Sequence, residues 1–183
     1  MKNFNHRELI ELFVQSALST SATVERVNPD KVSLNDVLVK NINDEKEVLF
    51  SPPADLSPEL FSGFRNNRKI VTEPTKEQMA NIQTGITDAS FGVASTGSVG
   101  LQVVNGLAGF ISMLTRKHIV ILDAETIVYR PRDVFSEKYF NGKFLKRSFT
   151  FITGPSATAD MGPLVRGVHG PGKLHIILLV KKI

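Results

Sequence analysis

The sequence has no cysteine and no tryptophan, and only two tyrosines and four histidines among 183 residues. Without cysteine the chain forms no disulfide, builds no cysteine-type zinc site and offers no thiolate nucleophile. It also holds no iron–sulfur cluster through thiolates of its own. Long apolar runs are missing as well. The nearest, Leu9–Leu18, is interrupted by Glu11 and Gln15 and preceded by Glu8, and nothing approaches the ~20 apolar residues of a membrane-spanning helix. The expectation is a soluble, cytoplasmic protein with no export signal and no membrane contact. Acidic residues are scarce late in the chain: residues 1–128 carry 12 basic and 15 acidic side chains, residues 129–183 carry 10 and 3. The net charge therefore runs from −3 to +7 between the two parts, which suits an anionic ligand or an acidic partner as readily as a plain solvated surface.

The chain does contain enough apolar material, 42% of its residues, for one sizeable core. No repeat, low-complexity tract or long linker divides it. Residues 1–183 are expected to form one domain, with an N-terminal helix inside residues 1–21. Asn5 and Glu8 have capping spacing, and Leu9, Leu12, Phe13 and Ala17 follow at helical intervals. Ala22–Val27 reads as a strand, and Ser33 as the cap of a helix carrying Leu34, Val37 and Leu38. Val48–Phe50 and Lys69–Thr72 are further strands. Between them Ser57-Pro58 opens a brief helix, and Thr75 with Gln78 forms a capping box for the helix that follows. Such alternation predicts parallel β-α-β units. Beyond Thr84 the pattern changes. Ala89–Ser95 and Ser98–Val104 read as a hairpin hinged at Thr96-Gly97, Leu107–Leu114 as a helix, and His118–Leu122 as a strand covered on both faces. Thr126–Tyr129 is a short strand, Pro131–Phe140 a helix, and Ser148–Thr153 and Leu174–Val180 the last two strands.

The loop between those two strands is the most informative part of the sequence. It places Thr153, Gly154, Ser156, Thr158 and Asp160 just beyond a strand end, where backbone amides and small hydroxyls can meet an anion. Arg166-Gly167-Val168-His169-Gly170-Pro171-Gly172 then sets three glycines around a histidine, with Arg166 able to pair with a carboxylate or phosphate. Glycine–proline clusters between strands are also ordinary turns. His118 is expected to pack rather than react. His169 and His175 stand six apart with no carboxylate pair, so no metal site is predicted. Lys138–Arg147 mixes Lys138, Lys143, Lys146 and Arg147 with Tyr139, Phe140 and Phe144. That mixture fits a buried helix face better than a nucleic-acid surface, and no nucleic-acid partner is expected.

Several of these segments together carry a family resemblance. Gly154-Pro155-Ser156, Thr158-Ala159-Asp160 and Gly167-Val168-His169-Gly170-Pro171, with Gly85-Ile86-Thr87-Asp88-Ala89-Ser90-Phe91, Ala94-Ser95-Thr96-Gly97-Ser98 and His118-Ile119-Val120 upstream, make the chain resemble the LUD-domain family, in particular its LutC branch. The resemblance implies an α/β fold similar to the NagB/RpiA/CoA-transferase group, with a mostly parallel sheet and helices on both faces. It implies an accessory role beside LutA- and LutB-like iron–sulfur proteins that oxidise L-lactate to pyruvate. Any cluster then sits in the partner subunits, and this chain carries no cofactor. Loop position then places a small anionic ligand at Thr96, Gly97, Gly154, Ser156, Thr158, Asp160, Arg166, His169 and Gly170. Three places depart from the family pattern: Ser95 stands where a glutamate is common, Met161-Gly162 where an apolar residue precedes glutamate, and Gly109-Phe110 where arginine precedes leucine. Two alternatives stay open. One is an independent enzyme acting on a phosphosugar, folate or CoA ester, with Asp160 as its base; the other is a non-catalytic scaffold docking an acidic partner.

Overall fold

The computed structural model describes residues 4–103, 106–136, 148–158 and 163–181. The first helix, α1 (His6–Ser19), is set by the capping box of Asn5 and Glu8 and buries Ile10, Phe13 and Ala17 along one stripe. β1 (Thr23–Val27) follows, then α2 (Lys31–Asn41). The cap of α2 is Asp30, three residues before the Ser33 that the sequence suggested, because the Asp30 carboxylate accepts the Ser33 amide. β2 (Val48–Phe50) leads through 3-10 turns at Pro58–Phe61 and Phe64–Asn66 to β3 (Ile70–Val71) and α3 (Lys76–Asn81).

The change of pattern after Thr84 conceals a central strand. β4 (Thr84–Ala89) is buried along its whole length, and only β5 (Phe91–Val93) and β6 (Ser98–Val103) form the expected hairpin. Thr84, Thr87 and Asp88 lie among its buried residues, so β4 lacks the apolar run by which a covered strand is recognised. α4 (Gly106–Leu114), β7 (Lys117–Asp123) and β8 (Ile127–Val128) come next. Pro131–Phe135 forms a 3-10 turn rather than the start of a regular α-helix; the rest of the expected helix, and the basic segment 138–147, lie outside the described residues. β9 (Ser148–Ile152), the two-residue strands β10 (Ala157–Thr158) and β11 (Val165–Arg166), and β12 (Lys173–Leu179) complete the order.

Six strands form a parallel sheet in the order β1-β12-β7-β4-β2-β3. Alternate residues of these strands feed two cores. On one face Val120, Leu122, Ile176 and Leu178 pack with α1 and the inner side of a second sheet, β8-β5-β6-β9. On the other, Ile119, Ile121, Ile177 and Leu179 pack with Leu34 and Leu38 of α2 and with Phe61 and Phe64 of the 3-10 turns. At roughly 1.5–3 kcal/mol per fully buried large aliphatic or aromatic side chain, these two layers supply most of the folding drive. α4 packs on the first face, its Ile111 seated on Gly85, where a Cβ would lie 2.5 Å from the Ile111 side chain. The fold is thus the expected mixed α/β arrangement with helices on both faces, one of its layers being completed by a small sheet.

Candidate functional site

The glycine-rich loops lie at the amino end of the parallel sheet. β9 belongs to the small sheet and runs antiparallel to β6, so its own carboxyl end delivers Thr153 to the side where β1, β4, β7 and β12 begin. Three contacts fix the placement. Arg166 Nη2 donates to Ser21 Oγ at 3.1 Å, just before β1. Gly170 stands near the Met113 carbonyl at the end of α4. The Lys173 amide donates to the Arg116 carbonyl, just before β7. These loops therefore do not stand at the carboxyl ends of the parallel strands.

The site residues suggested by sequence that are described are nonetheless brought toward one end. Thr96, Ser98 and Thr153 form a hydroxyl chain, with Thr96 Oγ1 2.7 Å from Ser98 Oγ and Ser98 Oγ 2.6 Å from Thr153 Oγ1. Ser156 donates its amide to the Pro171 carbonyl at 2.8 Å and accepts the Gly167 amide at 2.9 Å, tying the two halves of the loop together. Thr158 pairs with Val165 in the β10–β11 ladder. Asp160 lies outside the described residues. His169 is exposed.

Two glycines have a packing explanation. Gly97 and Gly154 adopt φ of 65° and 67°, in the left-handed region that favours glycine. A Cβ on Gly97 would lie 2.2 Å from the Ala17 amide nitrogen, and one on Gly154 would lie 2.3 Å from the Thr20 carbonyl oxygen. Both turns press on the last turn of α1. That helix end carries partial negative charge and repels an anion placed against it. Within the two loops the charged or titratable groups that can meet an anion, among the described residues, are Arg166 and His169, with Arg116 and Lys173 exposed at the same end.

The carboxyl end of the sheet holds features that the sequence motifs did not assign. Between β2 and β4 the connections diverge: β2 leads to the 3-10 turns on one face and β4 to β5 on the other. Such a switch point is where open α/β sheets bind ligands. Here it is closed. The Asp88 carboxylate accepts the backbone amides of Ala54, Asp55 and Leu56 at 2.8–3.0 Å, drawing the loop after β2 over the end of β4. Ser90 Oγ donates to Asp55 and reinforces that closure. Asp88 stands inside the quoted motif Gly85–Phe91, but its role depends on β4 being a strand.

Two histidines sit within the sheet. His118 is fully buried, with Nε2 2.9 Å from Thr87 Oγ1, and burial pushes its pKa down to about 3. It packs, as expected. His175 has Nδ1 2.7 Å from Thr23 Oγ1 and Nε2 3.6 Å from Glu25 Oε2, an ion-pair separation too long for a hydrogen bond. Burial lowers the His175 pKa against the opposing pull of Glu25. For Glu25, burial pushes the carboxyl upward, but hydrogen bonds from Lys40 and Asn41 and the charges of Lys40 and His175 outweigh it and hold it below the usual carboxylate range. Among the described residues no group of three His, Asp or Glu is placed to hold a metal ion, and no helix is long and apolar enough to cross a membrane.

Comparison with known proteins places this architecture. A lactate utilization protein C from Halalkalibacterium halodurans is 39% identical over 93% of this chain and 79% of its own length. That from Anoxybacillus flavithermus is 33% identical over 99% of this chain and 84% of its own. The Bacillus subtilis protein of the same name is 34% identical, the match spanning 57% of this chain but only 44% of the relative. In three dimensions the chain resembles the crystal structure of a DUF162 family protein from Deinococcus radiodurans, with TM-score 0.72 and 18% identity, over 97% of this chain and 100% of that one. At that identity the likeness concerns the fold alone. The LUD domain family model matches residues 14–179, and the chain belongs to the LUD domain family.

Proposed function

We propose that this chain takes part in lactate utilisation, as an accessory subunit beside LutA- and LutB-like iron–sulfur proteins that oxidise L-lactate to pyruvate. The observation that carries the reading is the 39% identity, across 93% of the chain, to a lactate utilization protein C. Composition supports the division of labour. Oxidation of lactate releases two electrons and two protons, and a chain without cysteine has no thiolate to hold a cluster that would accept the electrons. On this reading the amino-end loops hold a small anion. Arg166 pairs with its charge, His169 and the hydroxyls of Ser156 and Thr158 donate or accept, and Gly170 lets the backbone approach. Thr96, Gly97 and Gly154 shape the neighbouring turns, and Asp160 belongs to the same loop by sequence.

The test is genetic and then biochemical. Deleting the gene in the source organism is expected to abolish growth on L-lactate while sparing growth on glucose; unimpaired growth on lactate would remove the proposed role. Complementation with the Arg166→Ala/His169→Ala variant then probes the loops. Full restoration by that variant would dismiss the loops as the ligand site and leave the lactate role standing.

A second reading, a non-catalytic scaffold docking an acidic partner at the same end, draws on its surface. Met113, Leu114, Leu164, Val165 and Val168 are half or more exposed there, interspersed with Arg116, Arg166 and Lys173. Exposed aliphatics rimmed by cations are characteristic of protein interfaces. Salt-sensitive co-purification with an iron–sulfur protein, lost on Met113→Asp/Val168→Asp, would favour it.

A further inference from the structure

We infer that the cleft over the carboxyl ends of β1 and β12 is a binding site for an organic anion larger than a three-carbon acid. The topology creates the opening. β1 continues through Asn28 to α2 on one face of the sheet, while β7 continues through Glu125 toward β8 on the other. β12 ends between them. Diverging connections leave a crevice by the same rule that applies between β2 and β4. There Asp88 pulls a loop across the gap; here no such clamp exists among the described residues. The result is a cavity of about 600 Å³, inside the range of roughly 300–1,000 Å³ typical of small-molecule sites.

The lining has the composition of an anion site. Arg7, Arg26 and Lys181 line it, together with the carboxylates of Glu11 and Glu125. Both carboxylates are already engaged. Arg26 Nη2 donates to Glu11 Oε2 at 2.8 Å, and His6 Nε2 lies 3.5 Å from Glu125 Oε1. Among the described residues neither Arg7 nor Lys181 has a carboxylate within ion-pair distance, although the charge of Arg7 reaches Glu11; both can turn to a ligand. Ile10, Val27 and Val180 supply an apolar wall. The mouth also lies at the start of α1, where the helix dipole favours negative charge, with the Glu8 amide already taken by Asn5. The charged group of the ligand therefore sits between Arg7 and Lys181, and its carbon skeleton lies along Ile10, Val27 and Val180. The cavity is far larger than lactate requires, and it lies at the opposite end of the sheet from Arg166 and His169. It is a second site, independent of the proposed lactate role.

The experiment titrates the full chain with two probes, citrate and adenosine triphosphate, by calorimetry and by amide NMR. At least one probe is expected to bind with one-to-one stoichiometry and to shift the amides of Arg7, Asn28 and Lys181. Arg7→Gln/Lys181→Gln, checked for unchanged circular dichroism and melting temperature, is expected to weaken that binding about tenfold or more, as loss of charge-assisted hydrogen bonds implies. Arg166→Ala/His169→Ala is expected to leave it intact. The inference is overturned if no probe binds, if the shifted amides lie elsewhere, or if the loop variant rather than the cleft variant loses binding. Should the cleft variant fold poorly, the NMR map of the unaltered protein decides alone.

Discussion

Thr87 and His118 meet across the two central strands, Thr87 Oγ1 2.9 Å from His118 Nε2, in a layer where neither side chain sees water. Nδ1 of His118 has no hydrogen-bond partner among the described residues. The imidazole is held neutral because a charge there would be desolvated without a counter-charge.

That arrangement predicts acid sensitivity. The folded-state pKa of His118 lies near 3, the unfolded value near 6.5, so below pH 6.5 the unfolded chain binds the extra proton. Stability is then full above pH ~6.5 and falls by up to about 1.4 kcal/mol per pH unit as acid is added, until the folded pKa is reached. His175, also lowered by burial, acts in the same direction. Urea denaturation between pH 7 and pH 4 measures the slope. His118→Gln, which keeps a polar group near Thr87 but does not titrate, is expected to flatten it; an unchanged slope would assign the acid sensitivity elsewhere.

Asp88 is expected to be worth more than its single carboxylate suggests. Asp88→Ala strands three backbone amides at the end of β4 and is expected to cost about 2–4 kcal/mol. Asp88→Asn, retaining one carbonyl acceptor, falls between. Faster proteolysis within residues 51–57 in Asp88→Ala would mark the released loop. Equal stability of all three proteins would show that the clamp contributes nothing.

The turns on α1 give a contrast among glycines. Gly97→Ala and Gly154→Ala each combine a left-handed backbone with a collision against main-chain atoms of α1 and are expected to cost roughly 2 kcal/mol or more. Gly106→Ala meets nothing within 4 Å in α4 and is expected to be neutral or stabilising by up to about 1 kcal/mol. Thermal melts of the three variants test the ordering.

Much of the fold is legible wherever local rules act alone. Asn5 with Glu8, and Thr75 with Gln78, announce their helices because a cap is a contact three residues long. His118–Leu122 reads as a covered strand because both faces are apolar, and Leu174–Val180 reads as the last strand. β4 escapes because its buried threonines and aspartate are satisfied by partners remote in sequence: Thr84 by Glu45, Thr87 by His118, Asp88 by residues 54–56. The glycines of the two loops were visible, but their purpose was not, since only tertiary packing sets Ala17 and Thr20 against them. The end of the sheet on which those loops sit depends on β9 joining the small sheet, a pairing that periodicity does not encode. The cleft over β12 has no motif at all; it arises from the directions in which two connections leave the sheet.

The pairing of β1 with β12 has a consequence for the growing chain. Thr23 and Leu174 are neighbours although 151 residues separate them. At a synthesis rate of about 5–20 residues per second, β1 and α1 wait for many seconds before their sheet partner leaves the ribosome. During that interval Ile10, Phe13 and Ala17, later the inner stripe of α1, lack the cover that Leu174, Ile176 and Leu178 of β12 supply. The sheet is thus completed only when the two ends of the described chain meet, a closure whose entropy cost falls late in folding.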